Sequence, residues 1–180
     1  DLDTRMVEYN LPRTSELSRD SPSQRGQHVL VANLDQLFVV VAARDPLPDL
    51  NLLDRFLVIA EDAEIAASVI VNKMDKVSDD EPRVRAALAV YEKIGYPVHF
   101  VSAKQGVGIA ALRDALGYRI SAFAGASGVG KSSLLNAIQP GLTLKTGDLG
   151  ALSQQGRHTT TSAELVRLET AEDAWLADTP

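Results

Sequence analysis

The sequence predicts an α/β domain built as a three-layer sandwich, a mainly parallel sheet with helices on both faces. Two observations predict it. From residue 29 onward, short β-branched runs alternate with segments of helical period, and such alternation builds parallel sheets from strand–helix–strand units. The motifs that carry chemistry follow predicted strands, and open α/β sheets bind ligands at the carboxyl ends of their strands.

The first 28 residues are polar and aperiodic, with Pro12, Pro22 and Gly26 among several Ser and Arg. They read as a linker or as the tail of a preceding domain. The expected division is therefore 1–33 as that tail and 34–180 as the main domain. Residues 29–32 and 37–42 are apolar runs expected as short strands, the second buried on both faces. Pro46 and Pro48 interrupt the chain. Asp49 can cap a helix to about residue 66, with Leu50, Leu53, Leu57 and Ala60 on one face.

A strand is expected at 68–71. A helix at 81–94 has Pro82 in its first turn, turns Val84, Leu88 and Tyr91 inward, and ends at Gly95. Then come a strand at 98–101, a helix at 109–116 and a strand at 119–124. A glycine loop leads into a helix at 131–138, stopped by Pro140 and Gly141. Residues 141–162 show no period and read as a long loop. The runs 163–168 and 174–177 are expected as antiparallel strands joined by a tight turn.

Composition narrows the classes. The 180 residues are 45% hydrophobic, enough for the core of one full α/β domain. No run of eighteen apolar residues is present, so no membrane-spanning helix is expected, and no signal peptide opens the chain. The chain starts at Asp1 and stops at Pro180 within a motif, so a fragment of a longer protein is expected. The absence of cysteine excludes disulfides and cysteine-ligated zinc within these residues and fits a reducing cytoplasm. Eighteen Lys and Arg against 24 Asp and Glu give a net charge of -6. A broad basic surface for nucleic acid is not expected.

The strongest motif is Gly125-Ala126-Ser127-Gly128-Val129-Gly130-Lys131-Ser132, followed by Ser133. It matches the G-x-x-x-x-G-K-[ST] phosphate loop and lies between a predicted strand and a predicted helix, as that mechanism requires. Glycines allow the loop to bend around an anion. Backbone amides and the helix N-terminus then face phosphates. Lys131 reaches the β- and γ-phosphates as a point charge, and the Ser132 hydroxyl can ligate Mg²⁺.

Asn72-Lys73-Met74-Asp75 follows the strand at 68–71 and resembles the guanine-reading N-K-x-D of GTPases. An Asp carboxylate is acceptor-only. It suits a base edge offering two donors, as guanine does at N1 and N2. Lys73 can lay its aliphatic stem on the base, and Asn72 can tie this loop to the phosphate loop. A helix-capping turn reads the same way in isolation. Ser102-Ala103-Lys104 follows the next strand and resembles the segment with which GTPases offer a backbone N–H to guanine O6; any polar turn would look alike.

Gly156-Arg157-His158-Thr159-Thr160-Thr161 ends the long loop. A threonine there could close on Mg²⁺ and the γ-phosphate and make the loop a switch. Thr160 is the first candidate and Thr159 the second. His158 is the one ionisable switch side chain able to orient the attacking water; a solvated loop histidine is the plain alternative. Asp178-Thr179-Pro180 resembles the start of D-x-P-G, whose Asp holds Mg²⁺ through water.

The order of these motifs is rotated relative to most GTPases: base motif, base-contact loop, phosphate loop, switch threonine, then Asp178. Circularly permuted GTPases of the ribosome-assembly type have this order. Leu11-Pro12-Arg13-Thr14-Ser15, Val31-Ala32-Asn33-Leu34-Asp35-Gln36 and Gly156 to Thr161 further resemble one family, ribosome small-subunit-dependent GTPase A, over about residues 5–180. By analogy with ordinary GTPases, six strands are expected in the order 163–168, 174–178, 119–124, 37–42, 68–71, 98–101, the first antiparallel to the rest. The resemblance implies a preceding OB-fold and a following zinc domain, so Zn²⁺ is expected only outside this chain. It also implies a GTP-hydrolysing factor for late maturation of the small ribosomal subunit in the bacterial cytoplasm. Implied cofactors are GTP or GDP and Mg²⁺. Implied partners are the small subunit and its rRNA, with no membrane partner and a monomeric state. Two alternatives stand beside it: a nucleotide-gated ribosome-binding module with negligible turnover, and a P-loop kinase, against which Asn72 to Asp75 argues.

Overall fold

Gln36–Ala42 reads Gln-Leu-Phe-Val-Val-Val-Ala, and all seven residues are buried. A strand apolar on both faces belongs at the centre of a covered sheet, and this one does. The computed structural model describes residues 12–20, 27–142 and 164–178. Within them the chain runs β1 (Glu16–Asp20), β2 (Gln27–Ala32), β3 (Gln36–Ala42), α1 (Leu50–Asp62), β4 (Ala66–Asn72), a single 3-10 turn (Met74–Lys76), α2 (Glu81–Lys93), β5 (Val98–Phe100), α3 (Ile109–Leu116), β6 (Ile120–Ala124), α4 (Lys131–Ile138), β7 (Glu164–Leu168) and β8 (Ala174–Asp178).

The main sheet has the order β5-β4-β3-β6-β8-β7. Its neighbours are parallel except β7, which pairs with β8 antiparallel. This is the strand order expected from the sequence. The alternation along β3 divides the core. Leu37, Val39 and Val41 pack with Leu53, Phe56, Leu57 and Ala60 of α1 and with Leu88 and Tyr91 of α2. Phe38, Val40 and Ala42 pack with Leu112 and Leu116 of α3 and with Leu134, Leu135 and Ile138 of α4. Truncating one of these residues, such as Leu53→Ala, would cost about 2–5 kcal/mol through lost transfer energy and the cavity left behind.

Helix boundaries follow from capping. Asp49 accepts a hydrogen bond from the Leu52 amide at 3.0 Å and starts α1, as capping chemistry requires. The helix stops at Asp62, short of the expected residue 66, because β4 already pairs from Ala66. The inward face also differs from expectation at one position. Leu50 is 37% exposed, and Phe56 fills the stripe with Leu53, Leu57 and Ala60. Leu50 opens the helix, one turn before the stripe meets the sheet.

The polar N-terminal stretch holds a strand where an irregular segment was expected. β1 and β2 form an antiparallel hairpin with a register shift at Leu17/Ser18. Backbone pairing makes the strand, and a single apolar residue, Leu17, gives no readable period. Leu17 and Val31 are buried in the same cluster as Leu34, Leu37 and Val39. Asn33, at φ +58, locks the hairpin's base. Its Oδ1 accepts from the Thr14 amide at 2.8 Å and the Thr14 hydroxyl at 3.2 Å, and its Nδ2 donates to the Pro12 carbonyl at 3.3 Å. Asp35 then accepts from the Ile120 amide at 2.7 Å, tying this segment to the strand that leads into the phosphate loop.

Candidate functional site

Three loops meet at the carboxyl ends of β3, β4 and β6, and one buried amide joins two of them to the loop after β5. Asn72 ends β4 and is 1% exposed. Its Nδ2 donates to the Val129 carbonyl at 3.1 Å, and to that of Gly130 at 3.5 Å. Its Oδ1 accepts from the Ala103 amide at 3.1 Å. A buried side-chain amide needs partners on both ends, and here each partner belongs to a different motif. The expected tie between base loop and phosphate loop is therefore present, together with a second tie to the loop after β5.

The base loop is tightly built. Lys73 has φ +64 and precedes the 3-10 turn Met74–Lys76. Its ammonium donates to the carbonyls of Gly128, at 2.6 Å, and Asp45. The Met74 amide donates to the Val101 carbonyl at 3.2 Å. Asp75 Oδ1 accepts from the Ser102 hydroxyl at 2.6 Å, and that hydroxyl in turn accepts from the Gln105 amide at 3.2 Å. Ser102 is 1% exposed, while Lys104 is exposed.

The phosphate loop curls between β6 and α4. Gly125 has φ +146, and a Cβ there would lie 2.2 Å from the Val40 carbonyl oxygen. Gly130 has φ +94, and a Cβ there would lie 2.5 Å from Asn72 Nδ2. Both positions need glycine for conformation and for space. Val129 is buried and anchors the loop, whereas Ser127, Gly128, Ser132 and Ser133 are exposed. Lys131 is largely buried, its ammonium 2.7 Å from the Gly125 carbonyl and 3.0 Å from that of Ala126. A cation thus sits within a loop that runs straight into a helix N-terminus, a combination suited to an anion.

Two apolar hollows lie beside these groups. One, of about 410 Å³, includes Leu47, Leu50, Val77, Val84 and Leu88. The other, of about 320 Å³, runs under the phosphate loop between Val39, Pro46, Leu52, Phe56 and Val129. Neither is lined by Asp75 or Lys131, while Ser127 of the phosphate loop borders the second.

The structure brings together Asn72, Lys73, Met74, Asp75, Ser102, Ala103 and the loop 125–133. His158, Thr159, Thr160, Thr179 and Pro180 lie outside the described residues. Asp178 ends β8, beside β6. Asp45 and Lys76 are the residues that sequence reading passed over: their carboxylate and ammonium lie 3.0 Å apart, and Lys76 holds the Asp45 carboxyl below its ordinary range. Only the repeat of Lys at 73 and 76 could have hinted at it.

A family model described as RsgA GTPase matches residues 10–180. The small ribosomal subunit biogenesis GTPase RsgA of Gemmatimonas aurantiaca is 50% identical over 171 residues, covering 94% of this chain and 54% of that protein. Its namesake in Alkaliphilus metalliredigens is 41% identical over 175 residues, covering 97% and 56%. Among solved structures, YjeQ from Thermotoga maritima superposes with a TM-score of 0.74 at 38% identity, covering 96% of this chain and 54% of that one. YloQ, a circularly permuted GTPase, gives 0.66 at 34% identity, covering 94% and 49%. The chain spans about half the length of the curated relatives it matches.

Proposed function

The chain belongs to the RsgA GTPase family, and from that premise we propose that the intact protein binds and hydrolyses GTP as a late maturation factor of the small ribosomal subunit in the bacterial cytoplasm. The observation that carries this reading is the Asn72 amide, which binds base loop, base-contact loop and phosphate loop into one unit. Such a unit can sense base and phosphates together.

Asp75 reads guanine. Among the described residues its one hydrogen-bond partner is Ser102, and a carboxylate has about four acceptor sites, which leaves capacity for two donors of the base. The backbone of residues 125–133 receives the phosphates, and Lys131 stabilises charge that grows as water attacks the γ-phosphate. Mg²⁺, when bound, supplies further positive charge at the phosphate oxygens. Ser132, with Thr160 or Thr159 and with Asp178 through water, would hold it. The donor set fits, being hydroxyl and carboxylate oxygens. His158 is the candidate for orienting the water. Contacts to rRNA, a zinc domain and a monomeric state are proposed for the intact protein by family resemblance.

The test is a competition titration of GDP, GTP and ATP, followed by single-turnover hydrolysis with and without small subunits. Guanine selectivity and subunit-stimulated hydrolysis are expected. Comparable affinity for ATP would remove the guanine reading. Selective binding with negligible turnover in both conditions would replace the enzyme with a nucleotide-gated module.

A further inference from the structure

We propose that Asp45 is a positioning residue for guanine-nucleotide retention: its backbone carbonyl helps hold the Lys73 ammonium against the phosphate loop, and its carboxylate, paired with Lys76, fixes that carbonyl in place. The proposal rests on the guanine reading of Asn72 to Asp75.

The geometry has a simple origin. Lys73 precedes and Lys76 ends a single 3-10 turn, closed by the Lys76 amide on the Lys73 carbonyl at 3.0 Å. Three residues apart across that turn, both ammonium groups lie on the side of the loop after β3. Both reach Asp45. Lys73 bonds its carbonyl, and Lys76 pairs with its carboxylate at 3.0 Å. The Lys73 ammonium also donates to the Gly128 carbonyl at 2.6 Å. Asp45 therefore completes a clasp between the loop after β3, the base loop and the apex of the phosphate loop.

Asp45 sits at φ +51. That region disfavours most side chains, but Asp and Asn tolerate it. A backbone carbonyl cannot be deleted by substitution, although its direction depends on what holds the residue in this conformation. The carboxylate–ammonium pair does so from the side-chain end. The other charges nearby leave it intact: Arg44 faces Asp80 at 3.9 Å, and Arg83 faces the same carboxylate at 3.8 Å.

The consequence is specific to base retention. With its ammonium clasped at the tip, the Lys73 stem has both ends fixed in the segment proposed to face guanine. That contact is the same for GDP and GTP, since neither base differs. Loosening the clasp should speed release of both nucleotides and leave the chemical step alone. The pair is partly exposed, with side chains 42% and 68% accessible, so the effect is bounded at about fivefold.

The experiment is release of fluorescent GDP from the intact protein carrying Asp45→Asn, Lys76→Gln, or both. Asn keeps the tolerance for positive φ, and thermal melts check that each variant folds. Each single change should speed release roughly two- to fivefold at low salt. The double change should be no faster than either alone, because both remove one interaction. The difference should shrink at high salt, and kcat at saturating GTP should hold while KM rises. Unchanged release in both single variants, or effects that multiply in the double, would overturn the proposal while leaving guanine selectivity intact. Wild-type protein that binds ATP as tightly as GDP would overturn the base reading first, and this proposal with it.

Discussion

The Ser102 hydroxyl donates to Asp75 Oδ1 at 2.6 Å, across 27 residues of sequence. Ser102 is almost wholly buried, and its oxygen also accepts from the Gln105 amide. The carboxylate is thus aimed by the base-contact loop rather than by its own turn. Asp75→Asn would present an amide to the donors of guanine and should weaken GDP binding by at least about 2 kcal/mol, the penalty of unpaired polar groups. Ser102→Ala should cost less, about 1 kcal/mol, because it frees the carboxylate without removing it. Titrations with GDP and ATP check both; an Asp75→Asn protein that keeps its preference for guanine would refute the assignment.

Glycine substitutions should separate space from conformation. A Cβ at Gly130 meets Asn72 Nδ2 at 2.5 Å, whereas one at Gly128 finds nothing nearer than Pro46 Cδ at 3.9 Å. Both residues have positive φ, so each alanine carries the left-handed penalty of about 1–2 kcal/mol. Gly130→Ala must also push Asn72 off the Val129 carbonyl and should lose nucleotide affinity by a further tenfold or so, the worth of about one buried hydrogen bond. Equal affinities for the two variants would show that the Asn72 bridge does not matter for binding.

These cases show what the sequence can and cannot reveal. The strand order was legible because the motifs resemble those of ordinary GTPases, from which the order of the sheet was carried over by analogy. The apolar run at 37–42 and the helical spacing at 109–116 stand in plain view, and both elements form there. The role of Asn72 was legible in part, since a motif names a residue but not both of its partners. The β1 strand was not, because its pairing is carried by backbone groups and one apolar side chain. The Asp45–Lys76 pair was hidden for a similar reason: its 31-residue separation leaves no local pattern, and the loop after β3 matches no motif.

Asn33 offers a test of how firmly the N-terminal hairpin is joined to the sheet. Its side chain serves three hydrogen bonds to Thr14 and Pro12 at positive φ. Asn33→Ala would lose these and carry a conformational penalty, lowering stability by about 2–3 kcal/mol in sum. Asn33→Gly should recover the conformational part. Denaturant midpoints compare them, and hydrogen exchange at the Thr14 amide reports whether the hairpin loosens first. A Thr14 amide equally protected in all three proteins would mean that the Asn33 side chain does not hold the hairpin.

His99 on β5 predicts an acid-side loss of stability. Burial lowers its pKa from the ordinary value of 6.5, and its ring packs 6.1 Å from that of Phe38. The unfolded chain therefore takes up a proton at higher pH than the folded one. The sign follows: stability from keeping this ring neutral is present above pH 6.5 and is lost as pH falls through the folded value. His99→Phe should flatten the decline in melting temperature between about pH 7 and pH 5. An unchanged slope would assign that decline to other groups.

Lys131 supplies the last prediction. Its ammonium lies within 2.7 and 3.0 Å of the Gly125 and Ala126 carbonyls, largely shielded from water, at the start of α4. Charge in a shielded site acts more strongly than in solvent. It is held by the loop that would receive the phosphates, so little reorganisation is needed at the moment of reaction. Negative charge on the transferring group is redistributed in the transition state, and GDP has no γ-phosphate with which to exploit the nearby cation. Lys131→Ala should therefore lower turnover by about 10²–10³, as loss of one preorganised donor does elsewhere, and lower GDP affinity much less. Single-turnover hydrolysis by the intact protein with small subunits, set beside GDP titration, measures the two losses. If they are equal, Lys131 contributes uniform binding and the charge-stabilising role is wrong.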